Sequence, residues 1–223
     1  MQIFRVQRKL NENESLAVAP ATFNIWRLCV CQKLVRILVF FCGSNHGLNP
    51  HFTDAAQVVG TYIADHGDTL VYGGGSKGLM GTVATAASAR NGKIIGVMPR
   101  FLIQRGISDQ HISEFIETDT MDERKTKMMQ LCDAFIVLPG GFGTLEEFNS
   151  LLSWSQMDLH QDPIVLYNVD GFFNPMTAML ENSYNAGFAP AGNRALYLST
   201  DSLEDMVAFF DNFKHVLPDK YTN

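Results

Sequence analysis

The sequence has few charged residues and no long apolar run, and each shortage argues against a class of protein. Charged residues make up 18% of the 223 positions, and the formal net charge is −6. A protein that binds a nucleic acid polymer needs a clustered excess of Lys and Arg. We therefore expect no nucleic acid polymer as a partner of this acidic chain. The apolar stretch at 25–30 is short and contains Arg27, so no membrane segment is predicted.

The chain is also poor in cysteine. Its four cysteines, Cys29, Cys31, Cys42 and Cys132, show no CxxC spacing. Cys42 and Cys132 lie in apolar runs, where reduced and buried thiols are expected. These features predict a cytoplasmic protein without a metal site.

Residues 1–33 precede the first clear strand and are richer in Asn, Glu, Gln and Arg than the rest. We predict a poorly ordered extension there, followed by a single domain over residues 34–223. A transit peptide is disfavoured because Glu12 and Glu14 are acidic.

Short apolar runs alternate with helical patterns along the rest of the chain. The predicted strands are 36–42, 69–72, 93–98, 134–138, 163–167 and 195–198, and the predicted helices are 50–66, 79–91, 121–132, 144–157, 171–186 and 202–213. This alternation predicts an α/β fold, a Rossmann-like open parallel sheet with helices on both faces. Residues 99–110 are the least regular, and a plain connection is favoured there over a segment that covers a site.

Three predicted strands run directly into glycine-rich loops, at residues 42–45, 72–78 and 138–144. The carboxyl ends of parallel strands share one edge of the sheet, so these loops can meet at one crevice. Glycine lets the backbone approach a ligand, and amides at a helix start favour an anion. The candidate phosphate-binding residues are Ser44, Gly74, Gly75, Gly140, Gly141, Gly143 and Thr144.

The second loop contains a GxGxxG pattern at Gly73, Gly75 and Gly78. A dinucleotide site also needs a carboxylate about twenty residues on, and the next strand ends instead in Met98-Pro99-Arg100. The GxxxxGK[ST] pattern of ATPases is missing too. We predict no bound cofactor, and tight turns that pack helix on strand remain the alternative use of these glycines.

The third loop is followed by Glu146 and Glu147. Thr144 and Glu147 match the S/T-x-x-E capping box, so the residues alone leave helix capping and catalysis equally open for Glu147. Arg124 and Lys125 lie near a predicted helix start, where cations oppose the helix dipole. They indicate either an anionic partner or a solvated turn balanced by neighbouring acids.

At these residues the sequence resembles the Lonely Guy family of cytokinin riboside 5′-monophosphate phosphoribohydrolases, often labelled lysine decarboxylases. The family signature PGGxGTxxE stands intact at residues 139–147, and the Met-x-x-Arg-Lys element stands at Met121, Arg124 and Lys125. The resemblance covers about residues 35–188. Asp122 stands where a histidine is common, which bears on base preference.

The resemblance implies hydrolysis of the N-glycosidic bond of a purine nucleoside 5′-monophosphate, such as AMP or an N6-substituted AMP. It implies Arg124 and Glu147 as catalytic residues, the Gly140 loop as the phosphate site with Met121 and Lys125 beside it, and a homodimer. The alternative is a non-catalytic nucleotide or cofactor carrier on the same fold. An amino-acid decarboxylase is disfavoured because no pyridoxal-phosphate lysine site is recognisable.

Overall fold

A computed structural model describes residues 35–109 and 112–217 of the chain. The predicted extension at 1–33, with Cys29 and Cys31, lies outside these residues. No helix in the two described stretches is long and apolar enough to cross a membrane.

Seven strands form one parallel sheet: β1 (Ile37–Phe41), β2 (Thr69–Tyr72), β3 (Lys93–Pro99), β4 (Glu114–Thr118), β5 (Ala134–Val137), β6 (Ile164–Tyr167) and β7 (Tyr197–Thr200). Their spatial order is β4-β3-β2-β1-β5-β6-β7. The chain therefore winds outward from β1 to β4, returns to β5 on the other side of β1, and winds outward again. The topological switch point lies between β1 and β5, where open α/β sheets bind ligands.

Seven helices accompany the strands: α1 (Pro50–Asp65), α2 (Gly78–Ser88), α3 (Arg100–Ile103), α4 (Met121–Leu131), α5 (Phe142–Ser155), α6 (Asn174–Asn185) and α7 (Leu203–Asn212). The predicted fold class, and helices on both faces of the sheet, are confirmed. The longer helices fall at the predicted positions, with ends that differ by at most three residues.

Alternate side chains of each strand fill the two core layers. Leu38 and Phe40 of β1 pack with α1, α2 and α7, whereas Val39 and Phe41 pack with α4 and α5. This follows from the two-residue period of a strand. Because both faces are covered, the central strands are fully apolar, as predicted.

Strand β4 was not predicted, and it lies beyond the irregular segment at 99–110, where no element was assigned. Its sequence, EFIET, has exposed or half-buried side chains throughout. Within the described residues it is an edge strand that pairs on one side only, with β3. An apolar run is therefore not needed for its burial, and the sequence pattern was correspondingly weak.

Candidate active site

The loops that follow β1 and β5 meet at the switch point. Gly43 N donates to the Pro139 carbonyl at 3.0 Å, and Leu138 N donates to the Phe41 carbonyl at 2.9 Å. A Cβ added at Gly140 would overlap the Thr144 side chain and lie 2.8 Å from Gly43 N. Glycine at position 140 thus allows the two loops to touch, which confirms that the first and third glycine-rich loops converge.

A cavity of about 190 Å³ opens beside this contact. Ser44 and Gly141 line it from the two loops, and Phe52 and Phe172 close it with their rings 5.5 Å apart, edge to face. The cavity therefore joins two predicted phosphate-site residues to an apolar wall. No sequence pattern predicted that wall, because its two aromatic residues come from distant parts of the chain.

Helix α5 begins at this cavity with its first amides available to a ligand. Its N-cap is Gly141, which provides no side-chain hydrogen bond. The amides of Phe142, Gly143 and Thr144 form the first turn, where a helix has no internal partner for its N–H groups. Added Cβ atoms at Gly141 and Gly143 would meet nothing within 4 Å, so the backbone is open to a ligand. This geometry is what an anion-binding helix start requires.

The capping alternative for Glu147 is wrong. Because α5 starts at Phe142, two residues earlier than predicted, Thr144 is its third residue, and Glu147 lies in the second turn beyond the reach of the cap. An arrangement close to a capping box is found instead at the start of α4. There the Thr120 hydroxyl accepts from Glu123 N at 3.1 Å, and the Glu123 carboxylate accepts from Asp119 N at 2.8 Å.

Glu147 instead forms a buried ion pair with Arg124. The Arg124 Nη1 atom lies 3.2 Å from Glu147 Oε1, and the two side chains are only 11% and 12% exposed. The Nε atom of Arg124 also donates to the Val97 carbonyl of β3 at 3.2 Å. The structure thus brings together the two residues predicted as catalytic, which are 23 positions apart in the chain.

Burial raises the pKa of Glu147 to about 7, and the charge of Glu146 adds to the rise, whereas Arg124 and Lys125 oppose it. A carboxyl group with this pKa is present in both protonation states near neutral pH. That property suits a group that exchanges protons during a reaction.

Lys125 and Glu146, the chain neighbours of Arg124 and Glu147, form a second ion pair. Lys125 Nζ donates to Glu146 Oε1 at 2.5 Å and to Ser150 Oγ at 3.1 Å. Although burial opposes it, hydrogen bonds from Lys125 and Ser150 lower the pKa of Glu146. Neighbouring glutamates on α5 therefore carry opposite pKa shifts. The phosphate role of Lys125 remains a prediction, as does that of Met121, which is partly exposed at the start of α4.

The second glycine-rich loop is tied to the protein itself. The Gly74 carbonyl accepts from Asp109 N at 2.9 Å, and Ser76 N donates to the Ile107 carbonyl at 3.1 Å. Gly75 faces Ser108 in the same antiparallel bridge. Phosphate contacts at Gly74 and Gly75 therefore remain a prediction. The backbone of this loop already forms hydrogen bonds with the last residues of the irregular segment.

Helix α2, which follows this loop, begins differently from α5. The Gly43 carbonyl accepts from Leu79 N at 3.1 Å and from Met80 N at 3.4 Å, so two first-turn amides are already used. Gly78 has φ of +61°, and an added Cβ would overlap the backbone at Ser44 and Asn45. The last glycine of the GxGxxG pattern therefore serves the tight packing of α2 on the β1 loop.

The contacts of Asp170 with Asn49 and His51 near the crevice were not predicted, whereas the buried thiol of Cys42 was. Cys42 is buried with a free thiol, and burial first, then the charge of Glu147, raises its pKa, which leaves it a poor nucleophile. Near the cavity, Asp170 accepts from Asn49 Nδ2 at 2.6 Å and lies 2.7 Å from His51 Nδ1.

Among the described residues, no group of three or more His, Cys, Asp or Glu side chains is placed to hold a metal ion.

The fold and this edge define a Rossmann-like α/β protein with a ligand crevice at its switch point and an ionisable pair beside an open helix start. A family model described as "Possible lysine decarboxylase" matches residues 80–210. A rice protein named probable cytokinin riboside 5′-monophosphate phosphoribohydrolase LOGL9 is 38% identical over 178 residues, which cover 80% of this chain and 78% of that protein. The Arabidopsis thaliana enzyme LOG5, which carries the same activity name, is 35% identical over 84% of this chain and 82% of its own length. The chain belongs to this LOG family.

Solved structures share the fold at lower identity. The Moco carrier protein of Chlamydomonas reinhardtii superposes with a TM-score of 0.60 at 20% identity, covering 81% of this chain and 98% of that one. The molybdenum cofactor binding protein of Rippkaea orientalis gives 0.59 at 19% identity, covering 79% and 96%. At these identities the likeness concerns the fold alone.

The raised pKa of Glu147 predicts a pH-dependent stability. The folded chain holds this proton up to about pH 7, whereas the ordinary value is 4.5. Folding stability therefore falls as pH rises through this window and is flat above it. We expect Glu147→Gln, relative to the wild type, to gain about 3 kcal/mol in the free energy of unfolding between pH 4.5 and pH 8, measured by denaturant titration.

Glu146→Gln is the matched control, since its lowered pKa has the opposite sign. Its ionised form stabilises the fold above the ordinary pKa, so this variant should lose a little stability at neutral pH and regain it as the solution is acidified. A difference between Glu147→Gln and wild type that stays constant with pH would contradict the assigned pKa.

Proposed function

We propose that this chain hydrolyses the N-glycosidic bond of a purine nucleoside 5′-monophosphate, AMP or an N6-substituted AMP, to the free base and ribose 5-phosphate. Family membership supports the reaction class, since the relatives are named for this hydrolysis. The observation that carries the proposal is the buried Arg124–Glu147 pair, 3.2 Å apart, next to the open start of α5.

The chemistry explains why such a pair is useful. When the C1′–N bond breaks, its electron pair leaves with the base and the ribose becomes oxocarbenium-like. The Glu147 carboxylate stabilises that cation, accepts a proton from the attacking water, and lets the hydroxide portion add to C1′. The departing base takes up one proton, so the atoms of one water molecule are divided between ribose and base.

Arg124 supplies the positive charge of the site. Its guanidinium is held by the Val97 carbonyl and by Glu147, which leaves it little freedom to reorient. Because it favours the ionised form of Glu147 against burial, it keeps a carboxylate available near neutral pH. The same charge can stabilise a departing base or a bound phosphate, and both uses are compatible with the pair.

We assign the phosphate to the first turn of α5, where Gly140, Gly141, Gly143 and Thr144 present backbone and hydroxyl groups. Two positions here are open to solvent on their Cβ side, and the helix dipole adds a favourable partial charge. Ser44 lines the same cavity from the other loop. Binding the phosphate there fixes the glycosidic bond relative to Glu147.

The assay that tests this proposal is chromatography of products after incubation with AMP, isopentenyl-AMP, GMP and CMP, with adenosine in parallel. We expect free base and ribose 5-phosphate from a purine monophosphate, and turnover of adenosine at least about 100-fold slower, because phosphate binding contributes to positioning. Equal turnover of AMP and adenosine would overturn the role of the Gly140 loop. Binding without product would favour the carrier alternative, which needs the loops and not Glu147.

The second test concerns Glu147 itself. Removing its charge in Glu147→Gln keeps the size and hydrogen bonding, so kcat for AMP should fall by two orders of magnitude or more, about 3 kcal/mol. Glu146→Gln should stay within about tenfold of wild type, since that position is turned about 100° away on α5. A Glu147→Gln enzyme within threefold of wild type would remove Glu147 from the chemistry.

We further propose a homodimer in the cytoplasm, with residues 34–223 as its single folded domain. Exposed apolar side chains at the starts of α4 and α5, Met121 at 46% and Phe142 at 93%, support a subunit contact near the site. The free thiols of Cys42 and Cys132 suit a reducing compartment. Light scattering should give twice the 24.8 kDa of one chain, and a mass near one chain at micromolar concentration would contradict the dimer.

A further inference from the structure

Gly73 follows β2, and its own backbone conformation does not require a glycine. Its φ lies outside the left-handed range, whereas Gly74 and Gly78 have φ of +74° and +61°. Any residue can adopt the backbone of Gly73 without strain. The reason for a glycine at this position therefore has to be sought in the space around it.

That space is filled by the Arg124 side chain. A Cβ added at Gly73 would overlap Nη2 of Arg124 and lie 3.1 Å from its Cζ and 3.3 Å from Met80 Sδ. On another of its edges, the guanidinium donates through Nε to the carbonyl of Val97, in the neighbouring strand β3. The guanidinium thus lies in a slot between Gly73, which follows β2, and the second half of β3.

We propose that Gly73 is a positioning residue: the missing side chain leaves the slot in which Arg124 reaches Glu147. Its effect on turnover rests on the function proposed above, whereas the slot itself rests on geometry alone. The phosphate-loop and tight-turn interpretations explain the GxGxxG glycines by a bound ligand or by the backbone. Gly73, the first of them, instead leaves room for a side chain from α4.

The slot has an electrostatic consequence for Glu147. The charged groups that face Glu147 are Arg124 and Lys125 from α4 and Glu146 from its own helix. The Cys42 thiol, which follows β1, also faces it and is neutral. Of the two cations, Arg124 has the larger effect in lowering the pKa of Glu147. Moving the guanidinium away should therefore raise that pKa further above 7.

The test is Gly73→Ala in the full chain, read by three measurements. The added methyl displaces the ends of flexible side chains, so the melting temperature should change by less than about 3 °C. The value of kcat/KM for AMP should fall about 10- to 100-fold, as small misplacements near reacting groups do. The Glu147 carboxyl carbon, followed by ¹³C NMR and assigned by its loss in Glu147→Gln, should titrate about half a unit or more higher.

The Arg124→Lys background supplies the matched control. Lysine keeps the charge but lacks the Nη2 branch that the added methyl would meet. If Gly73 acts through that branch, Gly73→Ala should shift the Glu147 titration far less in this background than in the wild type, a non-additive double-mutant cycle.

The outcomes separate the possibilities. An unchanged Glu147 titration in Gly73→Ala overturns the proposal, and so does an equal effect in the two backgrounds or a large loss of melting temperature, which would make Gly73 a packing residue. If the wild type releases no base from AMP but the titration shifts as expected, the slot stands and the proposed function fails.

Discussion

The buried contact between Arg124 and Glu147 is the interaction on which the rest of the site depends. Taking two charges out of water costs several kcal/mol for each ion, and their attraction repays this only with good geometry. Arg124 donates hydrogen bonds to Glu147 and to the Val97 carbonyl. Its positive charge lowers the pKa of Glu147, but burial has the larger effect and holds that pKa near 7. Such an ion pair adds little to folding stability, whereas a carboxyl group that titrates near neutral pH is suited to proton exchange with a substrate.

The glycines around this pair illustrate how one residue type serves different physical purposes. At Gly78 the backbone has positive φ and the helix packs on a loop, whereas at Gly140 two loops touch through the missing Cβ. At Gly141 and Gly143 the space stays open, which leaves the α5 amides accessible. A glycine-rich motif therefore identifies a crowded sheet edge, and the space around each glycine tells which of them can face a ligand.

The comparisons show why the site, and not the fold, supports the function. Molybdenum cofactor proteins share the sheet at 19–20% identity, and a matching family model is described as a possible lysine decarboxylase. The relatives above 30% identity are named phosphoribohydrolases. On a fold that serves several functions, a paired carboxylate and guanidinium beside the open start of α5 is the more specific evidence.

Much of this protein could be predicted from the sequence. The apolar runs identified six of the seven strands, and the signature at residues 139–147 with Arg124 identified the family and the candidate residues. These features are local, since strand period, glycine content and motif spacing are properties of neighbouring residues. The polar edge strand β4 was missed because its burial needs no apolar run.

The tertiary structure alone decided the features that depend on contacts between residues far apart in the sequence. Whether Glu147 caps a helix turned on where α5 begins, and Gly141, not Thr144, is its N-cap. The pKa of Glu147 depends on burial and on Arg124, which arrives from another helix. The first amides of α2 are occupied because the β1 loop packs against that helix, whereas α5 adjoins the cavity through its N-cap Gly141. Burial and non-local contacts are set by the folded chain as a whole, so no local pattern could have revealed them.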